Sequence, residues 1–475
     1  MSSNSSTIFV AAGTTDTERG TNLLAAYAAA RLLTPGGNPL SASNRASVIL
    51  PPGNYRVTDS FELDTNFVDL VAQVPQAGGP RRATDVDEHP EDGGTSRAFF
   101  RPPLTLVYSD WSTQKSTVIQ SAADIRLCGF GIALLGNPSL WLVAMSMPTG
   151  AFMIGKAGLD LNNSPSTYDT MYFWSTANYY EEFGGCRAYW SFRGTWRNCI
   201  SSSCSFRPGY GDLTNFPARI VFEADMSDCE AGPFSFLGDA YPHQNYLAEN
   251  SRLLRCRTLG KHYEMNGPIS GESGFASFAG CTAIGLPITS SVQFIDCSAG
   301  PNSFGVGTTA GGTFIRCRAG ASSFGASATG TELGVFSGYA EDCFAGPDSF
   351  GGRTSLSDAN NAAAKNSGTM VRCTSLGNTR PINLDGATIR DSRITMATKN
   401  QHGVALVLAN TSTITNSEII VVQGGNGIPV FSSKPRKCVI GHCRFNNAKN
   451  DANGISATVT NLLGAPSNIC NDQIT

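Results

Sequence analysis

The sequence predicts an all-β chain wound as a parallel β-helix, and three observations carry that expectation. The first is a repeated phrase in which cysteine is followed seven positions later by an aromatic residue. Cys229 with Phe236, Cys297 with Phe304, Cys317 with Phe324 and Cys343 with Phe350 share the offset, and three of these four phenylalanines sit in Ser-Phe-Gly triplets. Successive cysteines from Cys199 to Cys373 lie 30, 27, 25, 16, 20, 26 and 30 residues apart by subtraction, the spacing of solenoid coils with loop insertions. The second is local alternation. In Val292-Gln-Phe-Ile-Asp-Cys297-Ser-Ala and Thr313-Phe-Ile-Arg-Cys317-Arg-Ala, the residues at Cys, Cys −2 and Cys +2 are apolar or small, whereas −1 and +1 are polar or charged. That reads as strand alternation with the thiol inward. The third is composition: 51 of 475 residues are Gly and 15% are charged, where an ordinary globular chain has about 25% charged residues. Gly311-Gly312, Gly300-Pro301 and Gly346-Pro347 interrupt any run long enough for a helical solenoid.

From the amino terminus, residues 1–45 form a leading segment. Asp16-Thr-Glu18 followed by Asn22 to Leu33 predicts a capped helix with an apolar face. It would cover the first coil and shield its open edge. Residues 46–445 are assigned to the β-helix, opening with Ala46-Ser-Val-Ile-Leu-Pro-Pro-Gly-Asn-Tyr-Arg-Val57, a strand, a turn and a strand. Residues 76–103 are a polar insertion whose carboxylates, Asp85 to Asp92, lack the spacing of a calcium loop. The Cys/Phe region spans 199–373. Beyond it, Ala387–Ile394, Ser412–Ile420 and Lys437–Phe445 continue as short alternating strands, and 446–475 are assigned to a carboxyl cap or subunit contact.

The helix opened by Asp-Thr, with the strand, Pro-x-Gly-x-Tyr and strand that follow, resembles the opening of the pectate-lyase-like superfamily over residues 12 to 72. The resemblance implies a right-handed parallel β-helix and says little about activity. The Cys-x-Ala/Gly-x-x-Ser-Phe-Gly repeats and the chain's ending are similar to β-helix proteins of bacteriophages, of the tailspike and tail-fibre kind.

Fourteen cysteines suit buried free thiols in a chain of this size better than a disulfide framework. Cys199-x4-Cys204, Cys438-x4-Cys443 and His442 do not specify a zinc site, so neither a metal nor a cofactor is expected. A formal net charge of −3 offers no attraction to nucleic acid, and no apolar run is long enough to span a bilayer. The amino terminus carries no signal-peptide pattern, which points to synthesis in a host cytosol and a place in a virion. Export by a non-classical route is the alternative.

Enzymes of the superfamily use clustered carboxylates or paired aspartates, and their Asn-Thr-Asp, Asp-Asp and Gly-His-Gly signatures are missing. Gln401-His402-Gly403 matches only the His-Gly, and His402 reads as a turn residue. The richest candidate region is 172–197, which holds three of the five tryptophans. Trp174, Tyr179, Tyr180, Tyr189, Trp190 and Trp196, with Arg193 and Arg197, form a candidate glycan-binding set, because aromatic faces beside charged groups hold sugar rings. The same residues would also suit a core or an interface. Glu181, Glu182, Glu223 and Asp225 are the candidate acids and bases. Two readings follow. One is a structural virion protein, a tail fibre, tailspike or capsid-surface component, that forms a homotrimer, contacts other virion proteins and binds host-surface polysaccharide. The other is a polysaccharide depolymerase, a lyase or glycoside hydrolase, working in a groove on the β-helix.

Overall fold

The computed structural model describes residues 5–75, 103–110, 115–135, 149–156, 158–175, 183–202, 205–208, 220–232, 235–236, 246–258, 288–299, 303–305, 309–326, 334–351, 365–378, 382–396, 404–408, 412–421, 428–432, 439–446 and 469–470. They fall into two compact units, residues 1–237 with 255–276, and residues 238–254 with 277–475.

The first unit begins with the predicted helix, α1 (Asp16–Ala30). Thr15 caps it by accepting a 3.1 Å hydrogen bond from the Glu18 amide, and the Glu18 carboxylate in turn accepts from the Thr14 amide at 2.8 Å. This is capping-box chemistry displaced by one residue. Leu23, Ala26, Tyr27 and Ala30 are buried, and the Tyr27 ring meets Phe61 edge-on at 5.1 Å. Gly20 permits the close approach: a Cβ there would lie 1.9 Å from the carbonyl oxygen of Arg56.

Beneath the helix the chain coils in three steps. Ala46–Leu50, Gly53–Arg56 and Phe61–Leu63 complete one coil, and Val68–Ala72 starts the next directly over Ala46–Leu50, with Ala46 opposite Val68 and Leu50 opposite Ala72. Each strand thus pairs in parallel with the strand three elements later, which generates three parallel sheets. The second unit repeats the path. Its long sheet runs through Arg252–Leu254, Gln293–Ile295, Thr313–Ile315, Tyr339–Glu341, Thr369–Val371, Thr388–Arg390, Thr413–Thr415 and Val439–Gly441. This is the parallel β-helix that the repeats predict and the architecture implied by the pectate-lyase-like resemblance.

The phase of the repeat differs from the predicted alternation. Inward residues of the long sheet lie at Cys −3, not Cys −2: Phe294 and Phe314 are buried, while Ile295 and Ile315 face outward and are only half-buried. The cause is the residue at Cys −1, which takes a left-handed conformation. Asp296, Arg316, Asp342 and Arg372 have φ of 54°, 51°, 54° and 52°, and their counterparts Asn198, Asp228, Arg255, Asp391, Asn416 and His442 lie at 49–55°. One left-handed residue ends the strand, turns the chain through the corner and shifts the side-chain alternation by one place, so the cysteine still points inward.

A left-handed conformation costs a non-glycine residue about 1–2 kcal/mol, and least for Asn and Asp. The arginines at this corner are each held by an acid one coil below: Arg255 by Asp228, Arg316 by Asp296 and Arg372 by Asp342, with Nε to Oδ1 distances of 2.6, 2.6 and 2.7 Å. The hydrogen bonds from Arg372 and Arg255 hold the Asp342 and Asp228 carboxyls below the ordinary carboxylate range.

Each corner thiol donates to main-chain carbonyls. Cys317 Sγ lies 3.3 Å from the Phe294 oxygen and 3.5 Å from the Ile315 oxygen, and Cys343 and Cys443 repeat the arrangement. Ser392 and Ser417 occupy the same place in later coils and bond to the carbonyl two residues back at 2.8 Å. Ten cysteines between Cys128 and Cys443 are free thiols. Burial raises the thiol pKa of Cys186 and Cys317 well above the ordinary value.

The phenylalanine seven residues on is a second left-handed corner, with φ of 57°, 54° and 55° at Phe304, Phe324 and Phe350. Their rings stack at 4.8 and 4.6 Å, and Phe294 stacks on Phe314 at 5.2 Å. The two columns meet edge-on, as between Phe314 and Phe324 at 90°, the preferred geometry for facing ring quadrupoles. The preceding serines also stack: Ser303 and Ser323 donate their amides to the hydroxyls of Ser323 and Ser349 at 3.2 and 3.0 Å.

Phe324→Ala should cost about 3–5 kcal/mol in chemical denaturation, because it opens a cavity between two ring columns. Cys317→Ser should cost under about 1.5 kcal/mol, since serine already fills the equivalent place twice. The corner carboxyls add a pH dependence. Their folded pKa values lie below the unfolded value of about 3.9, so the stability they contribute is complete above that pH and is lost as pH falls through the folded values. Thermal midpoints measured from pH 6 to pH 2 should fall less steeply in Asp342→Asn than in the native chain.

Candidate functional site

The chain from Tyr172 to Arg197 is divided by the coil geometry among three environments. Phe173, Phe192 and Trp196 point into the coil. Trp196 is 0% exposed, stacks on Tyr168 at 3.6 Å and on Phe192 at 4.9 Å, and donates its indole N–H to the Arg193 carbonyl at 3.0 Å. Tyr172 and Trp174 alternate with Phe173 on the strand Tyr172–Ser175 and so face outward from the sheet that begins with Gly53–Arg56. They are nonetheless buried, Trp174 to 2% exposure, in a cluster with Ala133 and Ile200 that is flanked by Leu106, Tyr108 and Leu135. Trp190 is buried and meets the half-buried Tyr189 edge-on at 4.8 Å. Of the two readings of these residues, a core or interface and a sugar-binding face, the burial of Trp174, Trp190 and Trp196 agrees with packed surroundings. Trp196 fills a bore it shares with Tyr168, Phe173 and Phe206, whereas Trp174 packs in the outer cluster with Ala133, Tyr172 and Ile200. Tyr179, Tyr180, Glu181 and Glu182 lie outside the described residues, as do His402 and all of the 76–103 insertion except Pro103.

The remaining candidates converge on the outer face of the long sheet in the first unit. The strands Arg126–Cys128, Thr167–Asp169, Phe192–Arg197 and Ile220–Ser227 lie side by side in register. Their outward residues form a grid. One row is Arg126, Thr167, Thr195 and Asp225, the next is Cys128, Asp169, Arg197 and Ser227, and Arg193 stands beside Glu223. Neighbours in a row are about 4.8 Å apart, and rows are separated by about 6.7 Å along the strand.

Within this grid Arg193 is the most firmly held group. Its Nε donates to Glu223 at 3.2 Å, and its Nη1 lies 3.8 Å from Asp160. Asp169 accepts from the Thr170 hydroxyl at 2.9 Å and from Asn198 at 3.3 Å. Arg126, Arg197 and Asp225 are exposed, and no described residue bonds to their side-chain charges. The face thus combines open donors, open acceptors and a clamped ion pair, with no aromatic ring among its outward positions. Its chemistry is that of hydrogen bonding to a polyol or to fixed charges. Among the described residues no group of three or more His, Cys, Asp or Glu could hold a metal.

Arg193 and Arg197 were legible as charged groups within the aromatic stretch, and Glu223 and Asp225 as nearby carboxylates. Asp160, Asp169 and Arg126 were not, since they come from other coils and only the stacking register brings them together.

No protein-family model and no curated protein sequence matches the chain. Among solved structures it is similar to DFA-IIIase from Arthrobacter chlorophenolicus without its lid, at 9% identity over 99% of both chains and a TM-score of 0.33. It is similar to the Dettilon tailspike protein at 11% identity, over 95% of this chain and 64% of that one, with a TM-score of 0.32. The A-module of mannuronan C-5 epimerase from Azotobacter vinelandii matches at 10% identity over 90% of both chains, with a TM-score of 0.30. At these levels no residue role passes from those proteins to this one.

Gly194, with φ of 99°, separates Arg193 from Thr195 in the grid, and a Cβ there would lie 3.0 Å from the Tyr168 ring and 3.2 Å from the Ser166 carbonyl oxygen. Gly194→Ala should lower stability by about 1–3 kcal/mol, combining backbone strain with crowding. Denaturant midpoints check this, with Thr195→Ala on the same strand as a near-neutral control.

Proposed function

We propose that the chain is a structural, virion-associated β-helix protein that binds host-surface polysaccharide along the outer face of the long sheet in its first unit. The observation that carries this reading is the grid of outward polar side chains, in which Arg126, Arg197 and Asp225 stand open while Arg193 and Glu223 close on each other. A glycan chain lying across the strands would meet a fresh donor or acceptor at each coil. Binding is favoured over cleavage because Glu223 is engaged by Arg193, which leaves Asp225 as the one open carboxylate of the pair. Reduced, buried corner thiols suit assembly in a reducing cytosol, which supports the virion setting. Trimerisation and contacts with other virion proteins belong to the same proposal.

One observation supports a depolymerase instead. Glu223 and Asp225 lie two apart on the strand Ile220–Ser227, so both carboxylates leave the same face, and a pair of carboxyl groups is what glycoside hydrolysis needs.

Calorimetry against a panel of bacterial surface polysaccharides, with product analysis on the same samples, separates the two. Binding should weaken about tenfold in each of Arg197→Ala and Asp225→Asn, with no new reducing or unsaturated ends. Release of such ends by the native chain, abolished in Asp225→Asn or Glu223→Gln, would establish the enzyme. Glu181→Gln and Glu182→Gln in the same assay test the two remaining acid candidates. A native chain that binds no polysaccharide of the panel overturns the glycan-binding reading.

A further inference from the structure

The loop between the strands Thr149–Ile154 and Thr167–Asp169 touches Arg193 from two sides. Asp160 approaches its guanidinium, and Asn163, fully buried, donates its amide to the Arg193 carbonyl at 2.9 Å. The second contact, together with the 3.0 Å hydrogen bond from the Trp196 indole N–H to the same carbonyl, fills a gap in the sheet. Along this pair of strands the Thr170 amide bonds to the Arg197 carbonyl at 2.9 Å, and the Thr195 amide bonds to the Ser166 carbonyl at 3.0 Å. Continuing that ladder by two residues, the Ser166 amide would serve the Arg193 carbonyl. It does not, because it bonds at 2.9 Å to the main-chain carbonyl of Asn163 in the turn through Pro165. Asn163 therefore takes the ladder donor with its main chain and returns a donor with its side chain.

The Asn163 side chain is itself fixed by a polar chain through an otherwise apolar bore. The same amide nitrogen donates to the Tyr168 hydroxyl at 3.0 Å, and that hydroxyl donates to Gln120 Oε1 at 2.5 Å. Gln120 in turn donates to the Ala122 carbonyl at 2.8 Å and to the Ser166 hydroxyl at 3.0 Å. A buried network in which each donor is matched is rigid, and displacing one member strands the others.

We propose that Asn163 is a positioning residue: with Tyr168 and Gln120 behind it, it fixes the backbone at Arg193 and so aims that guanidinium between Glu223 and Asp160 on the glycan-binding face. The inference rests on the binding reading above for its functional consequence. Its structural half stands apart from that reading.

The test uses the full chain with 15N-labelled arginine. In the native protein without glycan, the Arg193 Nε–H resonance, assigned by its loss in Arg193→Ala, should be protected from exchange. In Asn163→Ala that protection should disappear while the far-UV spectrum stays native. Retained protection overturns the proposal, whether or not any glycan is found. For a glycan that the native chain binds, Asn163→Ala should weaken affinity about tenfold in the native background and less than about twofold in Arg193→Ala. Equal losses in both backgrounds overturn the coupling. Should Asn163→Ala fail to fold, Asn163→Asp keeps the test open. A carboxyl in this place donates to the Arg193 carbonyl only when protonated, so Arg193 protection should be present at low pH and lost as pH rises, in a range where the native chain does not change. A pH-independent difference from the native chain overturns the proposal.

Discussion

From Asn198 to His442, the described corners after the long-sheet strands turn on a single residue held in the left-handed conformation just before an inward cysteine or serine. Aspartate and asparagine accept that conformation at low cost, but the arginines at Arg255, Arg316 and Arg372 do not. Their compensation comes from the neighbouring coil, where an aspartate in the same conformation presents its carboxylate to the guanidinium. Individually these exposed pairs contribute little. Repeated along the corner, they penalise any slip that would bring like charges together, so they act more on register than on total stability.

Because the corner recurs, the interior is also one-dimensional. Thiols fall on thiols, Ser on Ser and Phe on Phe, and each residue need only suit the same position one coil away. Substitutions within a column keep its hydrogen-bonding role: Ser392 and Ser417 return the bond to the carbonyl two residues back that the cysteines make. Where the strand supplies only Ala340, Phe336 from the adjoining strand reaches towards Phe314 at 6.1 Å and Phe350 at 5.5 Å. Column filling is thus conserved in volume even where identity changes.

The candidate site obeys the same rule on the outer surface. Stacking converts residues some 30 positions apart, such as Arg193 and Glu223, into direct neighbours. It also places polar side chains in rows with a constant step, a geometry suited to a polymer with a repeating unit. Departures from the regular ladder carry the most information. Asn163 substitutes a side-chain amide for a missing backbone donor at the residue that holds the ion pair.

The sequence by itself determined the coil, the inward thiols, the capping helix and the strand-turn-strand opening, because each depends on neighbours within a few residues or on a repeat visible in one dimension. It misplaced the inward position before each cysteine, since Asp and Arg at that site look like ordinary outward strand residues until their φ is known. It left open whether Trp174, Trp190 and Trp196 pack in a core or interface or join Arg193 and Arg197 on one surface. Only the tertiary structure could decide this, because whether a ring packs away or meets solvent depends on which face of its strand it occupies and on what covers that face. The same holds for the grid of Arg126, Asp169, Arg197 and Asp225, whose members are assembled by the register between coils and by nothing local to any one of them.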